Sequence, residues 1–361
     1  MYVLKIASPV IFIVGIAANI LCFFIFTSKR MKNLPTFKFL AYLSLIDCLH
    51  IATGMPHIMF IIYGNDYDFR TSSDFVCSFH SFLTIYTSHL SSNVLAAIGV
   101  FRCTEITSTK LSRQSILNKN AMKSRRKLSN SERNIVYSTN EMTIYQRFTK
   151  NFGKVDLIML IIMLIIFAFD SHYLIFMRLA ADPYQNITEN QTINYICYPT
   201  SETNVYYYNF YLTAWPWIDL FLYSFLPFLI MTSSTIVIIY KLCSANRNLK
   251  KRYQSNEITN KIEKKNKVSK ETIRKNIAFK DAKKRSKRNN QVYRLLLSLN
   301  ILFFIFVTPI VLCNHLKLLD LNHRNILESV YVLAYLNHCI NFILYGLTCK
   351  LFRSVLIQKL S

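Results

Sequence analysis

Residues 2–27 read YVLKIASPVIFIVGIAANILCFFIFT, and the next five residues, SKRMK at 28–32, carry three basic side chains. The apolar run contains one charged residue, Lys5, and is long enough to cross a hydrocarbon core of about 30 Å as an α-helix. A secretory signal peptide is the alternative interpretation. The run is too long for a signal peptide, lacks a small-residue cleavage site and carries Asn19 at mid-length. It therefore predicts a membrane-spanning helix with a basic flank.

Six further apolar stretches of similar length follow along the chain. They are Phe37–Tyr63, Phe75–Ile106, Phe152–Met177, Tyr208–Leu242, Val292–Leu316 and Ile326–Thr348. The composition agrees, because 52% of the 361 residues are hydrophobic and 17% are charged, against about 25% charged in an average soluble domain. With six Gly and eight Pro, the chain is neither collagen-like nor low-complexity. We expect an all-α membrane protein, with seven transmembrane helices forming one domain over residues 1–361.

The distribution of basic residues predicts the orientation of this bundle. Of 43 Lys and Arg, 38 fall in four segments that alternate with the outer loops: Thr27–Lys38, Arg102–Lys154, Lys241–Arg294 and the tail after Thr348. The positive-inside rule makes these segments cytoplasmic, so the N-terminus is outside and the C-terminus inside. Residues 107–151 and 243–290 are then long basic cytoplasmic loops, with disorder expected over Ser124–Asn140.

The net charge of +24 suggests two kinds of partner. The basic runs Lys264–Lys267 and Lys283–Arg288 resemble nucleic-acid-binding or nuclear-import clusters. Beside a bilayer, attraction to anionic lipid headgroups of the inner leaflet explains them better, at about 1 kcal/mol per residue. We expect a bilayer partner and no nucleic acid.

Cysteines and glycosylation sequons mark the outer face. Cys77 at the start of the third span and Cys197 in the loop before the fifth are the natural disulfide pair in an oxidising compartment. The same loop carries sequons at Asn186 and Asn190, in agreement with the orientation. Cys349, just after the seventh span, is either a palmitoylation site or an ordinary buried thiol.

Polar residues inside the spans are the first functional candidates, because ionisable groups at membrane depth are costly. Asp47 lies in mid-span and needs a cation, a proton or several hydrogen-bond donors. Asn337, Asn341 and Tyr345 are spaced four residues apart and share one face of the seventh helix. The simpler explanation for such side chains, and the favoured one for Asn19, is hydrogen bonding between helices.

The chain resembles a rhodopsin-like (class A) G-protein-coupled receptor over nearly its whole length. The matching positions follow the family's order. They are Asn19; Leu43 and Asp47; Cys77; Arg102; Cys197; Pro227; Phe303 and Pro309; Asn341-Phe342-Ile343-Leu344-Tyr345; and Phe352-Arg353. In the family the last pair opens a short amphipathic membrane-surface helix, which we expect within 349–361. The departures are Phe101-Arg102-Cys103 for Asp-Arg-Tyr, Phe342 for the Pro of the seventh helix, Asn289 for an acid, Val307 for a Trp, Thr235 for a Tyr, and no fourth-helix Trp.

The resemblance implies roles for several residues. Arg102, Pro309, Asn341 and Tyr345 would form the switch that couples the bundle to a heterotrimeric G protein. Asp47, Ser91, Asn337 and Asn341 match the family's pocket for an allosteric Na⁺, the single metal or cofactor expected, with Asp47 as its carboxylate. Because the acid before Arg102 is missing, the resemblance leaves the basal activity open and allows a decoy role.

Several residues argue against particular classes of ligand. No Lys lies in Ile326–Thr348, which excludes retinal, and Thr84 replaces the third-helix Asp of amine receptors. The short N-terminal segment argues against a large ectodomain. Tyr and Trp side chains crowd the loop from Asp182 to Trp217, as either an interfacial aromatic belt or a peptide-binding vestibule. Asp219, Glu328 and Asp170, with Thr84, are candidate contacts for a basic peptide. In overall style the chain is most similar to invertebrate neuropeptide receptors, including those for FMRFamide-like peptides.

Three other functions remain alternatives. A chemosensory or other small-molecule receptor of the same fold would differ in its ligand alone. A transporter or ligand-gated channel would show broken helices, inverted repeats or a polar pore, and none is visible in the sequence. An intramembrane enzyme is not expected, because neither His-Glu-x-x-His nor Gly-x-Ser-x-Gly occurs. We predict a multi-pass plasma-membrane receptor; its ligand, Gα class and oligomeric state stay open.

Overall fold

The structure, a computed structural model, describes residues 2–32, 34–64, 68–126, 153–181, 195–200, 204–263, 294–295, 297–313 and 324–360. These residues are mostly helical. In the first half of the chain the elements are α1 (Tyr2–Phe26), α2 (Pro35–Tyr63), a 3₁₀ turn (Phe69–Ser72), α3 (Asp74–Arg126), α4 (Lys154–Asp170), α5 (His172–Phe176) and strand β1 (Arg178–Ala181). They are followed by β2 (Tyr195–Tyr198), α6 (Val205–Thr213), α7 (Trp215–Leu220), a π-helical turn (Phe221–Phe225), α8 (Leu226–Glu263), α9 (Leu297–Cys313), α10 (Arg324–Cys339), α11 (Asn341–Thr348) and α12 (Lys350–Leu360).

Several helices have the length and hydropathy of membrane spans. Four qualify by themselves, namely Leu4–Phe26, Pro35–Tyr63, Lys154–Phe176 and Trp215–Lys241, and Ser329–Cys339 with Asn341–Thr348 forms a fifth when this pair, bent by 47°, is counted as one span. Helix α9 is apolar but shorter. Helix α3 is 53 residues long but is less apolar, because serines and threonines line its buried face. The chain is thus a mostly helical protein with several membrane-length apolar helices.

Apolar side chains cover both the inside and the outside of these helices. The buried core includes Phe26, Phe39 and Phe303, each at most 1% exposed. Ile13 and Leu164 are 66% and 59% exposed on the outward faces of α1 and α4. Large exposed apolar faces on long helices are what a lipid environment requires.

Prolines explain two features of the helices. Pro35 lies in the first turn of α2, where its missing N–H costs no hydrogen bond. Pro227 follows the π-helical turn Phe221–Phe225 and cannot donate to the carbonyl of Tyr223. The backbone adopts π-helical geometry just before this proline. Asn93 of α3 donates to the nearby carbonyl of Leu222 at 3.2 Å. The family-matched Pro227 therefore coincides with a local distortion of the fifth predicted span.

The boundaries of two predicted spans differ from the structure, whereas those of the fourth agree. Helices α4 and α5, which meet at Ser171, form one membrane-length segment, Lys154–Phe176, close to the predicted Phe152–Met177. The fifth does not start at Tyr208, because Val205–Thr213 is a separate helix and the apolar span begins at Trp215. The third does not stop at Ile106, since α3 continues to Arg126. Hydropathy marks the apolar part of a helix, whereas a helix rich in Lys, Arg and Gln continues without change of backbone.

The predicted cytoplasmic loops are accordingly helical where they begin. Residues 107–126 belong to α3, and residues 243–263 belong to α8. The remainder of 107–151 and 243–290, including most of the segment expected to be disordered, lies outside the described residues.

The predicted surface helix at 349–361 is α12, Lys350–Leu360. Phe352 and Val355 are buried against the bundle, while Ile357 is 66% exposed. Arg353 donates to the carbonyls of Gly346 and Leu347 at the end of α11, both at 2.8 Å. These bonds satisfy carbonyls that the end of α11 leaves without a helical partner.

Candidate functional site

A disulfide and a short hairpin close one end of the bundle. Cys77 in the first turn of α3 is bonded to Cys197 of β2. Strands β1 and β2 pair antiparallel, with Leu179 opposite Cys197, and the Leu179 N–H donates to the Asp74 carboxylate at 2.8 Å. The hairpin is therefore fixed to α3 by one covalent and one charged contact.

Part of the predicted aromatic vestibule packs as a core beneath this hairpin. Trp215 and Tyr207 are 5% and 8% exposed. Trp215 Nε1 donates to the Tyr173 hydroxyl at 2.8 Å, and Tyr207 hydrogen-bonds His172 at 2.7 Å. Other members of the run, such as Tyr206 at 89% exposure, lie outside this packing. The run is thus divided between a buried cluster and an exposed surface.

A cavity of about 210 Å³ lies next to this cluster. It is lined by residues of α2, α3, α7 with the π-helical turn, α9 and α10: His50, Thr84, Ile85, Ser88, Pro216, Asp219, Leu220, Tyr223, Ile310, Val311, Tyr331, Ala334 and Tyr335. The candidate ligand residues Thr84 and Asp219 are both in this wall. The Thr84 hydroxyl is buried and has no hydrogen-bond partner among the described residues, so it is available to a bound molecule.

Asp219 in the wall of this cavity belongs to a group of three ionisable side chains. His89 Nδ1 lies 2.9 Å from Oδ1 of Asp170, and its Nε2 lies 3.0 Å from Oδ1 of Asp219. His89 and Asp170 are fully buried, whereas the Asp219 side chain is 37% exposed. The structure therefore corrects the expectation for Asp170: its carboxylate is enclosed and bound to His89, so it does not reach a ligand directly. We name these three residues the His89 triad.

The other ligand and modification candidates are Glu328, Asn186 and Asn190. Glu328 belongs to α10, but its side chain is outside those described. Asn186 and Asn190 lie in the range 182–194, outside the described residues.

Deeper in the bundle, donors surround the carboxylate of Asp47. Ser91 donates to Oδ1 at 2.6 Å and Asn341 donates to Oδ2 at 2.8 Å. His338 Nδ1 lies 2.8 Å from Oδ1, so its N–H also donates, because an ionised carboxylate only accepts. Asp47 is fully buried, and three donors are the compensation that a buried charge needs. We name Asp47, Ser91, His338 and Asn341 the Asp47 cluster.

The cluster differs from the predicted sodium pocket in one member. No hydrogen bond joins Asn337 to Asp47 among the described residues, and His338 occupies that role instead. Asn19 supports the arrangement by donating to the carbonyls of Gly15 and His338, each at 2.9 Å. A sodium ion prefers oxygen ligands. Both oxygens of Asp47 already accept hydrogen bonds, and the α10 side chain that contacts Asp47 is the imidazole of His338. The residues present therefore fit a sodium ion poorly.

A ring contact joins the cavity to the Asp47 cluster. The imidazoles of His50, in the cavity wall, and of His338 have centroids 4.4 Å apart. His50 also stacks on Tyr335 at 5.2 Å and hydrogen-bonds Thr87 at 3.0 Å. His50 therefore contacts both Tyr335 of the cavity wall and His338 of the Asp47 cluster.

The remaining switch candidates lie further along α3 and in α9 and α11. Arg102 Nη1 donates to Glu105 at 2.7 Å, one helical turn further on. The acid missing before Arg102 thus has a substitute after it. Tyr345 is 1% exposed, packs edge-on against Phe26 at 5.0 Å, and its hydroxyl has no partner among the described residues. Pro309 lies within α9, four residues before its last described residue, Cys313.

Asp68, between α2 and α3, forms an ion pair with Arg70. Its carboxylate accepts three hydrogen bonds from the Arg70 side chain, one at 2.7 Å and two at 3.0 Å, and faces His57 Nε2 at 3.1 Å. Partial burial opposes ionisation, but the hydrogen bonds from His57 and Arg70 outweigh it and hold the pKa of Asp68 well below its usual range.

Sequence reasoning missed both His89 and His338, since isolated histidines inside spans are ordinarily core residues. A signal was present for His338. It lies three residues before Asn341 and seven before Tyr345, a spacing that also places it on one helix face. No comparable pattern identifies His89, because its partners belong to α4 and α7.

Comparison with known proteins finds no matching protein-family model and no matching curated protein.

Proposed function

We propose that the protein is a seven-transmembrane receptor of the rhodopsin-like (class A) type, which binds an extracellular peptide and activates a heterotrimeric G protein at the plasma membrane. The proposal takes α3 and α9 as spans beside the membrane-length helices. The polar face of α3 supports this assignment. Ser81, Ser88 and Ser91 are at most 8% exposed, so this face is turned toward protein, which is where polar groups belong in a membrane helix.

The observation that carries the proposal is the continuous contact between the cavity and the interior. Helix α3 holds the disulfide at Cys77, the cavity at Thr84, the Asp47 cluster at Ser91 and the switch candidate at Arg102. From Thr84 to Arg102 is 18 residues, roughly 27 Å along a helix. A ligand at one end is thus linked to the other end by one rigid element and by the His50–His338 contact.

Activation is then a shift between two arrangements of the bundle. The buried hydroxyl of Tyr345 lacks a partner among the described residues, and an unmade buried hydrogen bond costs about 1–3 kcal/mol. An arrangement that satisfies this hydroxyl gains that energy. Pro309 removes one backbone hydrogen bond from α9 and gives that helix a natural point of bending. Sodium has no part in this proposal.

At the inner end, Arg102 would exchange partners. Its bond to Glu105 connects two residues of one helix, and the Glu105 side chain is 36% exposed. Such a partly exposed pair contributes little stability. In the proposed active state the guanidinium would contact backbone carbonyls of a G protein.

Two ligand classes are compatible with the site. The cavity of about 210 Å³ is below the roughly 300–1,000 Å³ of pockets for drug-sized ligands. It accommodates one end of a peptide, with the rest on the exposed aromatic surface around Tyr206. The same small volume favours the second candidate, a small-molecule chemoreceptor of the same fold.

A cell-based assay tests the proposal. The chain is expressed with a promiscuous Gα and a calcium reporter and screened against peptide and metabolite libraries. The expected result is a peptide response that is lost in Arg102→Ala and kept in Lys29→Ala, which removes an exposed basic residue of the first inner loop. A response limited to metabolites would overturn the peptide assignment. A ligand-evoked current in cells without functional G proteins would overturn the receptor assignment.

A further inference from the structure

The His89 triad has an unbalanced charge. Each ring nitrogen of His89 lies within 3.0 Å of a carboxylate oxygen. Ionised carboxylates only accept hydrogen bonds, so both ring nitrogens must donate, and the imidazole is then an imidazolium. If one carboxyl group held the second of these protons instead of the imidazole, the total number of protons on the three residues would be the same. Either way the triad carries one net negative charge.

Asp219 brings this charge to the cavity. Asp170 and His89 are fully buried, and Asp219 alone of the three is partly exposed and lines the cavity. The aromatic rings of Tyr223, Tyr331 and Tyr335 line the same space. An organic cation gains both from a carboxylate in a confined site and from the faces of aromatic rings.

We propose that this cavity binds an organic monocation, an ammonium or guanidinium group attached to an apolar body, with Asp219 as its direct counter-ion. The Thr84 hydroxyl, buried and without a partner among the described residues, is a second polar contact across the cavity. The inference rests on the proposed function in one respect, that the cavity is open to an extracellular ligand.

Asp170 is assigned a positioning role in the same site. It does not line the cavity. Its charge nevertheless fixes His89 as a hydrogen-bond donor and, because His89 can neutralise only one carboxylate, leaves one negative charge at Asp219. If His89 keeps both protons when Asp170 is neutral, the His89–Asp219 pair is balanced and the cavity loses its net charge. The charge preference of the site therefore depends on a residue that the ligand does not touch.

The test uses the purified full-length chain in detergent and two pairs of probes. 2-Phenylethylamine is compared with the neutral 2-phenylethanol, and N-acetylarginine amide with N-acetylcitrulline amide. The first pair represents a small amine and the second a peptide side chain. Dissociation constants are taken from thermal-shift titrations, and wild type is expected to bind at least one cation about 10- to 100-fold more tightly than its neutral partner.

The variants are chosen to preserve the fold. Asp219→Asn leaves His89 paired with Asp170 and keeps an oxygen facing Nε2. Asp170→Asn leaves His89 paired with Asp219. Both are expected to remove the preference for the cation while the neutral probe binds as before. Asp74→Asn, an exposed acid outside the cavity, is the matched control and keeps the preference.

Each result has one meaning. Equal binding of charged and neutral probes by wild type, or a preference that survives Asp219→Asn, overturns the cation site. A preference lost in Asp219→Asn but kept in Asp170→Asn overturns the positioning role. Cation binding without any G-protein response would refute the proposed function and leave this inference standing. A G-protein response whose ligand affinity is unchanged in Asp219→Asn would do the reverse.

Discussion

His338 occupies the place where a sodium ion would be expected, and replacing it should make the protein respond to sodium. In the wild type, Asp47 accepts three hydrogen bonds from Ser91, His338 and Asn341. His338→Ser removes one hydrogen bond to a charged group, a loss of about 1.5–3 kcal/mol. It also leaves space beside the carboxylate and places a hydroxyl oxygen there. A sodium ion entering this space at ten times its Kd would return about 1.4 kcal/mol.

The assay is thermal unfolding of the purified chain in sodium chloride and in choline chloride at equal ionic strength. Wild type should unfold at the same temperature in both salts. His338→Ser should unfold at a lower temperature in choline and recover part of the loss in sodium. His338→Asn is the matched control, because its amide still donates to Asp47, and it should stay insensitive to the salt. A wild-type protein stabilised by sodium to the same extent as His338→Ser would refute the reasoning.

Two further predictions concern packing and pH. A Cβ at Gly54 would lie 1.9 Å from the hydroxyl oxygen of Tyr335, so Gly54→Ala should destabilise the bundle by about 1–3 kcal/mol. A Cβ at Gly346 meets nothing within 4 Å, so Gly346→Ala should not lower the unfolding temperature. Equal losses in the two variants would contradict this prediction. The pKa of Asp68 is depressed in the folded state, so its contribution to stability is present above about pH 3.9 and is lost as the pH falls below that value. The unfolding temperature of Asp68→Asn should therefore depend less on pH in this acid range than that of wild type, and parallel curves would exclude the ion pair as the cause.

Sequence periodicity was sufficient for contacts made along one helix face. Asn341 and Tyr345 were placed on a common face from their spacing, and the structure finds Asn341 on Asp47. The pairing of Cys77 with Cys197 followed from their common position at the outer ends of predicted spans, and the structure has that disulfide. Seven spans, the plasma membrane and the receptor function stay predictions.

Contacts between helices that no recognised motif marks could not be predicted from the sequence. Whether Asn337 or its neighbour His338 reaches Asp47 depends on the rotation of α10 by one residue, about 100°, and hydropathy does not set that angle. His89 meets Asp170 and Asp219 because α3, α4 and α7 converge at one level of the bundle. The sequence separations are 81 and 130 residues, and each residue alone resembles an ordinary buried polar group.

The long α8 also has a mechanical property. It extends over 38 residues from the π-helical turn, about 57 Å at 1.5 Å per residue. The turn before Pro227 is the point of this element where the backbone hydrogen bonds are already rearranged. If bending is concentrated there, a tilt of only about 5° displaces the far end by roughly 5 Å. The helix would then act as a lever whose short arm lies beside the cavity and whose long arm extends beyond the end of the apolar span at Lys241.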